Sequence, residues 1–125
     1  MVRQPYADMI AGGKKTWEIR LRPIALPKQF YILAGTRTFP TVDKYDVTRL
    51  GVVVGIGRPG DVRGPFTVEQ LMRHQGKHRA TVADLTGYAR GRLLYALEIH
   101  GKPIEPRAYR MKPGAVIIVG DVELI

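Results

Sequence analysis

Residues 4–20 read QPYADMIAGGKKTWEIR, and two periodicities meet inside that stretch. Pro5 stands where a first helical turn tolerates a missing N–H, and Tyr6, Met9 and Ile10 recur at the spacing of one helical face. The Gly12-Gly13 pair then stops the helix, so the pattern predicts a short helix over Gln4 to Gly13. From Thr16 the period changes to two. Trp17 and Ile19 fall on one face of a strand, and Thr16, Glu18 and Arg20 fall on the other.

Outward from this unit the chain reads as short strands with few helices between them. Pro23 and Pro27 punctuate a loop, Phe30 to Ala34 is an apolar strand ended by Gly35, and Arg37 to Thr41 extends or follows it. Leu50 to Ile56 is β-branched with two glycines, as in a strand that bends, and Arg58 to Pro65 (RPGDVRGP) reads as a loop. Thr67 to His74 reads as a helix with Thr67 as its N-cap and Glu69 in its first turn. Asp84 to Arg90 reads as a second, weaker helix, with the basic loop QGKHRA between the two. Arg92 to His100 and Ala115 to Leu124 complete the strands, separated by a proline-rich crossover that contains Tyr109. There is no βαβ alternation, which argues against a parallel doubly wound sheet. The expectation is one α+β domain over residues 1–125: a small, partly open β-barrel of five or six mostly antiparallel strands with two or three peripheral helices.

Composition narrows the chemistry. The 125 residues are 45% hydrophobic and 25% charged with a mean hydropathy of -0.12, the profile of a folded globular domain. Cys, Ser and Asn are all absent. That removes disulfides, thiol nucleophiles, cysteine zinc sites and Ser-His-Asp hydrolysis, so a covalent nucleophile would have to be Thr, Tyr, Lys or a carboxylate. The same absences, with nine prolines, suit a heat-adapted source and equally suit GC-rich codon usage. No apolar run spans a bilayer, and MVRQPYADMI lacks the apolar segment of a secretory signal, so a cytoplasmic protein without a membrane partner is expected. The net charge is +9 with a pI near 10.2. A basic small domain most often meets a polyanion, usually nucleic acid. Ten basic residues lie up to Val62 and ten beyond it, so a basic patch has to be assembled by folding.

Three motifs carry possible chemistry. Gly55-Ile56-Gly57-Arg58-Pro59-Gly60 matches GxGxxG, but Pro59, Gly60, Gly64 and Pro65 prevent the helix that a dinucleotide site requires, which leaves a turn. His74, His78 and His100 are the only histidines, with Lys77 and Arg79 placed to repel a cation, so neither a metal nor any other cofactor is expected. The densest polar constellation is Gly12-Gly13-Lys14-Lys15-Thr16-Trp17-Glu18-Ile19-Arg20. Lys15 suits a phosphate or carbonyl, Glu18 a base edge or a general-base role, and Arg20 a phosphate clamp. A regular strand from residue 15 would put Lys15 and Glu18 on opposite faces, unless the glycines reset the register.

The run RQPYADMIAGGKKTWEIR resembles the opening of the activating signal cointegrator homology (ASCH) family. Gly13, Lys15, Glu18 and Arg20 fill the fixed positions of that family's GxKxxExR hallmark, and Gln4-Pro5-Tyr6-Ala7 resembles its helix start. FYILAG, LGVVVGI and YALEIHGKPIEP…PGAVIIV follow in the order of its later strands. The resemblance implies a PUA-like barrel and a cleft that binds RNA or a nucleotide, lined by Gly13, Lys15, Glu18 and Arg20. Tyr6, Trp17 or Tyr109 would stack a base there, and Arg73, Lys77, Arg79, Arg90 and Arg92 would follow the phosphate backbone. The resemblance also opens an alternative, a metal-independent hydrolase acting on RNA or an acylated nucleoside with Lys15 and Glu18 as catalytic groups. The branch of the family that hydrolyses acetylated cytidine has a threonine where this chain has Glu18.

Overall fold

A computed structural model describes residues 2–38, 45–111 and 122–124. The elements in chain order are β1 (Val2–Gln4), α1 (Tyr6–Ala11), β2 (Trp17–Arg20), β3 (Phe30–Thr38), a 3₁₀ turn (Val47–Arg49) and β4 (Val53–Phe66). They continue through α2 (Val68–Met72), α3 (Gln75–His78), α4 (Val82–Ala89), β5 (Leu94–Arg107), β6 (Tyr109–Met111) and β7 (Val122–Leu124). The first five strands form one sheet in the order β1-β3-β4-β5-β2, and β6 pairs with β7. The β1–β3 pair is parallel and the other pairs are antiparallel. The mixed sheet and the helices bear out the α+β class. Among the described residues β1 and β2 are the two edges of the sheet, so its closure into a barrel is not seen.

The sheet is built on β4 and β5, each 14 residues long, paired from Val53↔Arg107 to Phe66↔Leu94. This corrects the loop expected over RPGDVRGP, which is strand. The register shifts between Pro59 and Val62 and between Arg63 and Phe66, and such irregularities accommodate residues that lack a ladder N–H. Residues 60–65 are exposed, which is why their composition reads as loop. GxGxxG lies inside the same strand and is therefore not the expected turn. A Cβ at Gly55 would lie 2.7 Å from the Ala11 Cβ, and one at Gly57 would lie 2.6 Å from the Phe30 ring, so these glycines admit close packing.

The helices cover the sheet. Ala7, Ile10 and Ala11 of α1 bury against Phe30, Ile32, Val54 and Ile99. Tyr6 turns the other way, toward a cluster in which Trp17 and Ile19 meet Leu71 of α2 and Leu85 and Ala89 of α4. α2 opens with a full capping box: Thr67 accepts from the Gln70 N–H, and the Gln70 side chain accepts from the Thr67 N–H. Thr67 is the N-cap as expected, although the helix ends at Met72 and QGKHRA contains the short α3 instead of a plain loop. Within the strand expected over Ala115 to Leu124, only 122–124 are described, and they are extended.

Asp8 joins α1 to the segment that follows residue 44. Arg49 donates to both of its carboxylate oxygens at 2.7 Å, the Tyr45 hydroxyl donates to Oδ2, and the Asp8 N–H donates to Gln4. Gln4, fully buried, returns a bond from Nε2 to the Arg49 carbonyl at 2.9 Å. Burial pushes the Asp8 carboxyl up, but the hydrogen bonds from Arg49 and Tyr45 together with the Arg49 charge outweigh it and hold the group below its ordinary value. The stabilisation is therefore present above the unfolded aspartate range and lost as pH falls through the folded value. Asp8→Ala is expected to lower the unfolding free energy by roughly 2 kcal/mol at pH 7, the scale of charge-assisted hydrogen bonds. In urea melts the gap between wild type and variant should narrow below pH 3.8, and a gap unchanged in acid would show that the ion pair is not its source.

Candidate functional site

The glycine turn after α1 carries the chain into a tight corner. The Gly12 N–H bonds to the Asp8 carbonyl and the Gly13 N–H to the Ile10 carbonyl, with Gly13 at φ +79°. That left-handed position suits glycine and costs other residues. The Lys15 N–H then reaches back to the Met9 carbonyl at 3.0 Å. Thr16 is gripped on two sides: its N–H donates to the Lys77 carbonyl (2.9 Å), and its carbonyl accepts from the Ile99 N–H (2.8 Å). Between these anchors the Lys15 side chain can only point inward.

Lys15 is 1% exposed, a rare position for an ammonium. Its Nζ donates to the His78 carbonyl at 2.6 Å, lies 4.7 Å from the centre of the Tyr6 ring, and is 3.8 Å from Glu18 Oε1. Glu18 in turn accepts from the Ile19 N–H at 3.1 Å and pairs with Arg20 at 3.3 Å. The Tyr6 hydroxyl donates to Asp84 Oδ2 at 3.1 Å. Burial pulls the Lys15 ammonium down to about 8; the Glu18 charge opposes that shift and Arg20 adds to it. Burial, then the charge and hydrogen bond of Asp84, hold the Tyr6 hydroxyl well above the ordinary tyrosine value, so it remains a donor. His78 is buried and its pKa is lowered chiefly by that burial. Its Nε2–H donates to the Leu71 carbonyl (2.7 Å) and its Nδ1 accepts from the Ala80 N–H (3.0 Å) in the neutral ring.

Of these groups Tyr6, Lys15, Glu18, Arg20 and Asp84 line a cavity of about 660 Å³, within the range of small-molecule sites, and His78 lies behind it. Among the described residues β2 is an edge strand, beside β5, and Glu18, Ile19 and Arg20 all line the cavity, with α4 as the facing wall. Lys15 and Glu18 therefore share one site. The regular strand begins only at Trp17, so the alternation that would have separated them does not extend to residue 15.

The other expected site residues divide. Tyr6, Arg20, Arg90 and Arg92 line the cavity. Gly13 shapes the turn and is not part of the lining. Arg73, Lys77 and Arg79 are exposed outside it, and Arg79 Nε is bonded to the Lys14 carbonyl. Trp17 is core, stacked on Phe66 with ring centres 5.9 Å apart, and Tyr109 packs against the Leu33–Val53 cluster. Sequence reasoning did not single out Asp84, Tyr88 or Arg3, all of which line the cavity. The signal for the first two is their i,i+4 spacing, which puts both on one face of α4. Among the described residues no group of three metal-ligating side chains comes together, and no helix is long and apolar enough to cross a membrane.

The fold and cavity thus define an α+β domain with a cation buried at the floor of a basic cleft. Residues 1–112 match the ASCH domain family, and the chain belongs to it. The structure is similar to the ASCH protein from Zymomonas mobilis, at 22% identity and a TM-score of 0.60, covering 84% of this chain and 68% of that one. Two single-residue mutants of the same protein give TM-scores of 0.58 and 0.56 at 24% identity. Each covers 86% of this chain, and 70% and 71% of the other. At these identities the likeness is one of fold. No curated protein matches the sequence.

The Lys15 ammonium has a testable thermodynamic signature. Its folded pKa lies below its unfolded value, so burying the charge costs stability at neutral pH, and the cost is relieved as pH rises from about 8 toward 10.5. The full relief is on the order of 3 kcal/mol. Lys15→Met should abolish that rise between pH 8 and 10 in denaturant melts. A variant that still gains stability over that interval as wild type does would place the titration elsewhere.

Proposed function

We propose that this ASCH domain binds RNA or a nucleotide in the cavity at the β2 edge, with Lys15, Glu18 and Arg20 of its GxKxxExR motif as the contacting side chains and Gly13 as the turn that sets them. One observation carries the reading: the Lys15 ammonium is almost fully buried, yet it faces an open cavity. An ammonium has three N–H donors, and the His78 carbonyl takes one. A carbonyl or phosphate oxygen of a ligand is a natural acceptor for another. The net charge of +9 supplies the long-range attraction, and the family's fold is of a kind generally associated with RNA binding. Arg73, Lys77 and Arg79 lie outside the cavity and belong to an approach surface along which a polyanion is guided.

The 3.8 Å separation of Lys15 and Glu18 favours one second reading. In a metal-independent hydrolase acting on RNA or an acylated nucleoside, Lys15 would polarise the carbonyl or phosphoryl oxygen while Glu18 takes a proton from the attacking water. The same pair serves binding and hydrolysis, so only the fate of the ligand separates the two.

Fluorescence anisotropy of a structured RNA and a matched DNA, titrated with wild type and Lys15→Ala at several salt concentrations, tests the proposal. Wild type should bind with a steep salt slope, and the variant should lose roughly 1–3 kcal/mol. The contact needs the ammonium, so the gap between the two proteins should close as pH rises past about 8, or somewhat higher when an anion holds the proton in place. Intact RNA afterwards supports binding alone, and Lys15-dependent breakdown supports the hydrolase. Equal binding by both proteins at every pH would overturn the cavity as the site.

A further inference from the structure

On that reading of the cavity, we infer that it accepts one nucleotide unit at a time, either free or turned out of a strand, with its base on Tyr88 and its phosphate on Arg90 and Arg92. The polarity of the walls runs in one direction. At the floor, Tyr6, Lys15 and Glu18 are 7%, 1% and 8% exposed and offer both donors and acceptors at fixed positions. At the mouth, Tyr88 is 36% exposed, and Arg90 and Arg92 are exposed. A ligand matching this order has a flat body with a polar edge at one end and an anion at the other. A nucleotide has that order.

The charges agree. Both carboxylates of the cavity already have cationic or hydroxyl partners, Glu18 with Arg20 and Lys15, and Asp84 with the Tyr6 hydroxyl. Arg90 and Arg92 form no ion pair among the described residues. They flank Gly91, at φ +79°, just past the carbonyl end of α4. Guanidinium presents paired donors to phosphate oxygens, and an aromatic ring supplies a stacking face to any base. Tyr88 lies on the last turn of α4, and Arg90, its C-cap, and Arg92 follow in the turn that leaves it, so the stacking face and the clamp are close in sequence.

The test is calorimetric titration of the full chain with the four ribonucleosides and their 5′-monophosphates, beside a single-stranded RNA. Wild type should bind at least one monophosphate ten-fold or more tighter than its nucleoside. Arg90→Gln with Arg92→Gln should erase that preference while leaving nucleoside affinity in place, and Tyr88→Ala should weaken both ligands where Tyr88→Phe does not. Arg58→Gln with Lys102→Gln removes the same charge at exposed positions outside the cavity and should leave the preference intact. Equal affinities for nucleoside and monophosphate, or a preference that survives loss of both arginines, would overturn the inference. Lys15-dependent binding of RNA with no binding of any single nucleotide would overturn it and leave the proposed function standing, whereas failure of RNA to bind as well would bring down both.

Discussion

The hydrogen bond from the Lys15 ammonium to the His78 carbonyl holds together parts of the chain 63 positions apart. A buried cation without partners is costly, so everything around it has to be arranged to accept it. Gly13 turns the chain, Thr16 is gripped from both sides, the Tyr6 ring provides its negative face, and Glu18 provides a countercharge. On the far side the carbonyl is held by its own residue. The His78 ring is neutral, donates to Leu71 and accepts from Ala80, which fixes α3 against α2, while the Thr16 N–H bond to the Lys77 carbonyl ties α3 to the residue before β2.

Much of this was legible in the sequence where the signal is local. The helix over Tyr6–Ala11, the glycine stop, the alternation of β2, and the Thr67 cap all follow from neighbouring residues, and the GxKxxExR spacing pointed to Lys15, Glu18 and Arg20. What was not legible depends on partners distant in sequence. RPGDVRGP has every composition mark of a loop, yet it is strand because Arg58, Pro59, Val62 and Arg63 pair with β5, with the residues between them taken up in register shifts. The meeting of Lys15 and Glu18 turns on where the regular strand begins, which the Lys77 and Ile99 backbones decide. Trp17 was open to either role until the packing of Phe66 and His74 placed it in the core. Asp84 and Tyr88 look like ordinary helix residues until α4 is laid beside β2.

Among the described residues β2 is an edge of the sheet, and the cavity lies beside it. A sheet edge leaves backbone groups without a strand partner, and covering it is a general need of β proteins. Here α4 and the end of α1 do the covering, with Leu85 and Ala89 sealing one side against Ile19 while Asp84 ties α4 to Tyr6. The seal is incomplete toward Arg90 and Arg92, where α4 ends, so the open side of the edge is the side lined by cations.

On the proposed function, this arrangement would link stability to recognition. The ammonium is stabilised by one carbonyl, one ring face and a carboxylate that stands at 3.8 Å, and burial, with the nearby Arg20 charge, still pulls its pKa down. An acceptor atom arriving at the cavity floor would make up part of that deficit, so its gain includes relief of a cost already present in the empty protein. An apolar ligand of the same shape would deepen the deficit by excluding water from the charge. On the proposed function, selectivity for ligands with an acceptor at the leading edge would therefore arise from the burial of Lys15 itself, before any residue at the rim takes part.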